Sequence, residues 1–292
     1  MIEVSNLTKR FGRVLAVEDA SFSAQPGRVT GFLGPNGAGK TTTLRAIVGL
    51  LQPTSGSATV LGKPYRALDQ PSRCVGAVLE TSNFHPGRSG RNHLRVLAVA
   101  AGIPRSRAED VLKLVELDDA AGRRVRGYSL GMRQRLALAG ALLGEPDVLV
   151  LDEPANGLDP AGIRWLRDLL RSAAAEGRTV LVSSHVLGEV SQLADDVVII
   201  NRGRLVTQST VAEVTAGGDR TRVRSPDVTR LREAVAAAGL VDREAGTDAL
   251  VVEAAPARVG ELAAAKGIVL HELVAEKATL EEAFLELVGG GG

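Results

Sequence analysis

The chain carries one cysteine, Cys74, in 292 residues, so no disulfide can form within it. That usage fits a reducing compartment. Aromatic residues make up only 3%. The basic run Arg123-Arg124-Val125-Arg126 has no aromatics interleaved with it, so it reads as a solvated face and not as a nucleic-acid surface. Charge of one sign is not in excess either. With 35 basic and 34 acidic residues, no global field draws the chain to nucleic acid or to an anionic bilayer. No apolar run approaches the roughly 18–20 residues that cross a membrane, so any membrane role is expected through a partner. The opening MIEVSNLTKRF has no apolar core and does not read as a signal peptide. The glycines at 289–292 carry no structural signal.

What is present is enough apolar material, 45% of the residues, for one large domain and a small one. Short apolar runs at 2–4, Val29–Leu33 and 58–61, separated by turn residues, predict strands. A helix is expected over about 39–50. Residues 86 to about 145 read as mostly helical. Ser89 can cap one helix, Ser106 and Glu109 form a capping box for a second reaching Leu117, and a third starts near Ser129. Residues 75–79, 148–151, 179–183 and 196–200 predict strands. The run at 148–151 is continuously apolar, as in a buried parallel strand. Asp159-Pro160 supplies an N-cap and a first-turn proline for a helix through Trp165.

The pattern breaks at Gly217-Gly218. Beyond it a strand at Thr221–Arg224 precedes a helix opened by Ser225-Pro226. Strands near Val241 and at 249–253, a helix opened by Pro256, and a strand over 268–274 follow. This β-α-β-β-α-β order predicts a ferredoxin-like unit. A last helix opens with the capping box Thr279 to Glu282. The expectation is an α/β chain with a domain at 1–216, a helical subdomain within it at about 86–145, and a small α+β domain at 219–288.

The chemistry begins at Gly34-Pro35-Asn36-Gly37-Ala38-Gly39-Lys40-Thr41, a G-x-x-x-x-G-K-T run between a predicted strand and a predicted helix. Glycines let backbone N–H groups turn inward around phosphate oxygens, and the helix N-terminus adds a favourable dipole. Lys40 can then reach the β- and γ-phosphates, and the Thr41 hydroxyl can bind Mg²⁺. The second signal is an apolar strand ending in Asp152-Glu153. Asp152 there would hold the metal, and Glu153 would polarise the attacking water. His185, just past a predicted strand, is either a solvated loop residue or a donor to the γ-phosphate, and spacing alone leaves both open.

The set resembles an ABC ATPase domain over about residues 1 to 215. Residues 34–42 resemble the Walker A loop, and Asn36, Gly37, Gly39, Lys40, Thr41 and Thr42 would contact the nucleotide. Residues 148–153 resemble Walker B, followed by an Asn156-Gly157-Leu158-Asp159 D-loop. Ser183-Ser184-His185 resembles the switch histidine, which favours a catalytic role for His185 beside Glu153 and Lys40. Tyr128-Ser129-Leu130-Gly131-Met132 stands where the family has its LSGGQ signature. Phe11 stands where an aromatic stacks on adenine.

Two departures are visible. The signature keeps Ser129 and Gly131 but replaces a glycine with Leu130 and a glutamine with Met132. Glu80 stands where glutamine is usual, which would add a carboxylate to the metal site and negative charge near Glu153. With Asn83-Phe84-His85-Pro86 it resembles the drug- and peptide-resistance branch of exporters. His85 and His93 are expected as a loop and a solvated helix residue, not metal ligands.

The resemblance implies ATP and Mg²⁺, a homodimer or heterodimer of such subunits, and a separate membrane-spanning permease docked near residues 80–91. It places the chain on the cytoplasmic side of the membrane, without nucleic acid. The implied function is the ATPase of an exporter for drug, peptide-antibiotic or lipid-like cargo. Competing functions are a soluble ABC ATPase acting on ribosomes or DNA, which usually needs two cassettes or a long coiled coil, and a regulatory nucleotide-dependent module. The C-terminal domain is expected to serve dimer contact or regulation.

Overall fold

The structure, a computed structural model, describes residues 1–79, 84–216, 219–276 and 279–289. The chain divides into two compact units, Met1–Thr210 and Val211–Gly292.

The first unit opens with β1 (Ile2–Phe11), β2 (Val14–Ala24), β3 (Val29–Leu33), α1 (Lys40–Ile47) and β4 (Ser55–Val60). After α2 (Pro71–Cys74) and β5 (Val75–Val78) come α3 (Gly90–Ala100), α4 (Arg107–Leu114) and α5 (Leu130–Leu142). The unit closes with β6 (Val148–Asp152), α6 (Pro160–Ala175), β7 (Thr179–Ser184), α7 (Leu187–Leu193), β8 (Asp196–Asn201) and β9 (Arg204–Thr210).

Two sheets result. One has the order β5-β6-β7-β3-β8-β9, parallel except for the antiparallel pairing of β9 with β8. The other is antiparallel, ordered β2-β1-β4. Every residue of β3, β6 and β7 is buried, as a sheet covered on both faces requires. Ile2, Leu7, Phe22, Phe32, Leu44, Ile47 and Val150 share one core that draws on both sheets and α1. Phe22 stacks on Phe32 with ring centres 5.2 Å apart.

The antiparallel sheet is more extensive than the sequence pattern predicts. β1 continues to Phe11, and β2 carries no clean period-two signal. The cause is irregular register, with shifts between Val4 and Leu7 and again before Lys9 and Arg10. Asn6 and Asp19 sit at φ 49° and 48°, and the Asn6 amide donates to Asp19 Oδ1 at 2.9 Å. Such bulges move side chains to the other face and break alternation.

The capping box expected at Ser106 does not form. Ser106 is helical and makes no side-chain cap. Glu109 is drawn instead to α3, where Arg91 lies at 3.0 Å and Arg95 at 2.9 Å. Two guanidiniums outcompete one backbone N–H, and α4 ends at Leu114, short of Leu117. Ser89 and Ser129 do cap their helices, accepting from Asn92 N at 3.3 Å and Met132 N at 3.2 Å. His93 packs edge-on against Phe84 at 5.0 Å and does not stand in solvent; burial and then Arg88 push its pKa down.

The second unit contains α8 (Val211–Thr215), β10 (Thr221–Arg224), α9 (Val228–Ala237), β11 (Asp242–Glu244) and β12 (Ala249–Val252). It ends with α10 (Pro256–Ala265), β13 (Glu272–Ala275) and α11 (Leu280–Gly289). Its antiparallel sheet is ordered β11-β12-β10-β13. Val223, Leu231, Val235, Leu250, Val252 and Val259 form its core. α9 starts two residues after Pro226, because Asp227 takes the cap and accepts from Arg230 N at 3.1 Å. β13 starts at Glu272, not 268, since Ile268 is buried in the core as non-strand chain.

At α11, Glu282 N donates to Thr279 Oγ1 at 3.2 Å and Thr279 N donates back to Glu282 at 3.1 Å. Glu282 also accepts from Arg243 and, at 3.3 Å, from Arg220. The Arg243 bond, then the Thr279 N–H, hold its carboxyl below the ordinary 4.5. A depressed carboxyl stabilises the fold above its unfolded pKa and loses that contribution as pH falls through the folded value. Acidification below about pH 4.5 is therefore expected to lower the Tm of the second unit in the wild-type chain. Glu282→Gln should remove much of that pH dependence. Calorimetry across the acid range checks it; identical pH slopes for both proteins would refute it.

Candidate functional site

β3 delivers the chain into the glycine loop, and Gly39 closes that loop at φ 107°. A Cβ at Gly39 would lie 2.7 Å from the Ala16 carbonyl oxygen, so no larger residue fits without a shift. α1 begins at Lys40 with no side-chain cap and no acidic residue in its first turn. Its N-terminal N–H groups and dipole are thus left for an outside anion. Asn36, Gly37, Gly39, Lys40, Thr41 and Thr42 line a cleft of about 210 Å³ together with Ala16 and Glu153.

Lys40 is 6% exposed. Its ammonium donates to Gly34 O at 2.6 Å and lies 3.7 Å from Glu153 Oε1. Next to it, Thr41 Oγ1 donates to Asp152 Oδ2 at 2.7 Å. Asp152, the last residue of β6, also accepts from the Ser183 hydroxyl of β7. Glu153 N in turn donates to Ser183 Oγ at 3.0 Å. Glu153 itself is left-handed at φ 49°, a conformation costing a non-glycine residue about 1–3 kcal/mol. That turn aims its carboxylate at His185, with Nδ1 and Oε2 2.8 Å apart.

The groups predicted from separate motifs therefore meet because β6, β7 and β3 are neighbours in the parallel sheet. Their C-terminal ends open on one side, where ligands bind in such sheets. Glu153 stands between the Lys40 ammonium and the His185 ring.

A second cluster is built apart from the cleft lining. Ser129 caps α5, and Gly131 lies in its first turn. Asp159 caps α6, accepting from Gly162 N at 2.7 Å. Between them Gly157 takes φ 80°, and a Cβ there would overlap the Leu130 side chain. The unusual leucine of the signature-like turn is thus seated on a glycine of the D-loop-like turn. Phe11, 49% exposed, ends β1 beneath the Lys9 ammonium, 5.0 Å from the ring centre. Glu80 lies outside the described residues, as do 81–83.

Sequence reasoning misses Glu189. It lies in the first turn of α7, four residues after His185, and that spacing is the available signal. Burial, then the Glu153 charge, push its carboxyl above 4.5 against the opposing pull of His185. Glu189 and Glu153 face one cavity of about 430 Å³ with Ile163, Leu166 and Val190.

Thr41 and Asp152 present hard oxygen donors in contact with each other, the kind of pair that suits a cation keeping most of its waters. Among the described residues, no group of three or more His, Cys, Asp or Glu gathers as a metal cage. Nor is any helix among them long and apolar enough to cross a membrane.

Comparison with known proteins adds family information to this geometry. The sequence profile of the ABC transporter family matches residues 17–156. A profile described only as a domain of unknown function matches residues 219–281. An uncharacterized ABC transporter ATP-binding protein of Bacillus subtilis is 36% identical over 99% of this chain and 96% of its own length. The bacitracin transport ATP-binding protein of Enterococcus faecalis is 33% identical over 100% of this chain and 97% of its own. A Nod factor export ATP-binding protein of Burkholderia lata is 34% identical over 99% and 97%. A solved ATP-binding subunit of an ABC transporter superposes with TM-score 0.67 at 29% identity, covering 73% of this chain and 91% of that one.

Proposed function

Since this chain belongs to the ABC transporter family, as an ATP-binding subunit that hydrolyses ATP, we propose that its cycle powers an exporter completed by a separate membrane-spanning permease. The observation that carries this is the meeting of Lys40, Thr41, Asp152, Glu153 and His185 at one cleft.

In the proposed cycle, the loop around Asn36, Gly37 and Gly39 and the Thr41 and Thr42 N–H groups wrap the phosphates. Lys40 exchanges Gly34 O and Glu153 for the β- and γ-phosphate oxygens. Phe11 stacks on the adenine. Thr41 and Asp152 hold Mg²⁺, which when bound neutralises phosphate charge, and Glu80 is a further oxygen donor. Glu153, oriented by its left-handed backbone, takes the proton of the attacking water. His185 keeps Glu153 aimed and donates toward the γ-phosphate.

The dimer follows from the second cluster. Two copies, or this chain and a close relative, face head to tail. Each ATP lies between one copy's cleft and the other's Ser129 to Gly131, with Asp159 beside it. Beyond the one N–H that Ser129 caps, the remaining N–H groups and the dipole at the N-terminus of α5 support anion contact there. A solved bacterial cassette with a similar fold, at 23% identity and TM-score 0.66, is described as dimeric.

The permease docks on the helical block at the cytoplasmic face. A groove of about 830 Å³ there holds Arg88, Arg95 and Arg105 beside Val96 and Val99, which suits an acidic amphipathic segment. With the ATPase domain taken as 1–216, the C-terminal domain at 219–288 serves dimer contact or regulation. The cargo class, an amphiphilic drug, peptide antibiotic or lipid-like molecule, is supported by relatives named for bacitracin, lantibiotic and Nod factor transport.

Affinity purification of the tagged chain from solubilised membranes tests the assembly. A polytopic membrane protein should co-purify in stoichiometric amount. Recovery of ribosomal or DNA-associated proteins instead would overturn the exporter reading while leaving the ATPase intact.

A further inference from the structure

α5 meets the turn that leads into α6, and α6 itself, at two described places. The first is at the N-terminus of α5, where Leu130 lies over Gly157 and a Cβ on Gly131 would come 3.2 Å from the Gly157 carbonyl oxygen. This contact is slight, since Leu130 remains 52% exposed. α3, α4 and β5 hold the rest of α5, so this slight contact is a weak tie between its N-terminal turn and the turn that precedes α6.

The second contact lies five residues past Leu130 along α5, about 7.5 Å up its axis. There the Arg135 guanidinium sits 4.3 Å from the ring centre of Trp165 on α6. The same group donates to Glu116 at 2.6 Å and to the Val115 carbonyl at 3.1 Å. Its side chain is only 17% exposed, against 63% for Glu116. The stack on Trp165 and the carbonyl bond are therefore the sheltered parts of the contact, and the ion pair is its solvated rim. Arginine suits the place because one planar fork can stack and donate at once. Neither Arg135 nor Trp165 lines the nucleotide cleft.

We propose that the Arg135–Trp165 stack is a positioning joint for ATP hydrolysis. With the Leu130–Gly157 contact it ties α5 to α6 at a second point, so the turn at 129–131 and the loop at 156–159 form one preformed surface. That surface meets the nucleotide held by the second copy, and the inference rests on the sandwich proposed above. Arg135 and Trp165 touch neither substrate nor reacting atoms. They act through Ser129, Gly131 and Asp159.

The joint carries its own probe, because Trp165 is the only tryptophan of the chain. Arg135→Gln should shift the Trp165 emission by removing the guanidinium from the ring. In the purified full-length chain, Trp165→Leu and Arg135→Gln should lower kcat about tenfold, less than the hundredfold that a 1 Å misplacement can cost. ATP affinity, read with a fluorescent ATP analogue, should stay within about twofold, since the cleft is untouched. Trp165→Phe keeps an aromatic face and should recover most of the rate.

A wild-type kcat in Trp165→Leu and Arg135→Gln overturns the proposal. So does equal loss in the Leu and Phe variants, which would mark a packing role only. Ser129→Arg separates this inference from its premise. If that variant turns over normally, the sandwich itself fails. If it is inactive while both joint variants are normal, only the joint fails.

Discussion

Glu153→Gln is expected to lower ATP turnover about 10²- to 10⁴-fold while the chain still binds ATP. The carboxamide keeps the size of the side chain and can still meet His185, but it cannot accept a proton from water. The backbone that aims it is held independently, by the N–H bond from residue 153 to Ser183 Oγ at 3.0 Å. Ser183 is in turn fixed by Asp152, so the left-handed turn at φ 49° should survive the change. Binding should if anything tighten, because a negative charge is removed from a cleft that receives phosphates. Phosphate release and analogue binding measured on the same preparation check both halves. Unchanged turnover would move the proton acceptor away from Glu153, with His185 the next group to test.

Much of this site is legible in the amino-acid sequence, for a definable reason. The glycine loop and the Asp152-Glu153 pair each join a distinctive residue pattern to a strand of continuous apolar character, so the pattern specifies both chemistry and place. Their convergence follows from parallel strands whose C-terminal ends share one side. What fails depends on competition between partners distant in sequence. Ser106 and Glu109 have the spacing of a capping box, but Arg91 and Arg95 on another helix claim the carboxylate. β2 is hidden because bulges at Asn6 and Asp19 erase the alternation that marks a strand. Glu189 is invisible because its importance lies in burial beside Glu153. Arg135 and Trp165 meet only when α5 and α6 pack, and no local pattern announces it.

Lys40→Ala should fail in the opposite order to Glu153→Gln, with binding lost first. The Lys40 ammonium is buried and already satisfied, by Gly34 O at 2.6 Å and by Glu153 at 3.7 Å. On the proposed reading ATP replaces both partners with phosphate oxygens, a charge-assisted exchange at an ammonium only 6% exposed. A hydrogen bond to a charged group contributes about 1.5–3 kcal/mol, so ATP should bind roughly 10- to 150-fold more weakly. Turnover at saturating ATP should fall by a further factor of about 10²–10³, the scale of losing one preorganised charge donor.

The two substitutions also share a contact, and that sharpens the test. In Lys40→Ala, Glu153 loses its ammonium neighbour and keeps only His185. Its aim at the water site is then already degraded, so adding Glu153→Gln should cost less than it does alone. Residues acting as one unit give such shortfalls, whereas independent sites add within a few tenths of a kcal/mol. A double-mutant cycle on single-turnover rates measures the shortfall directly. Full additivity would mean that Lys40 serves only to hold phosphate and that its 3.7 Å approach to Glu153 has no part in the chemistry.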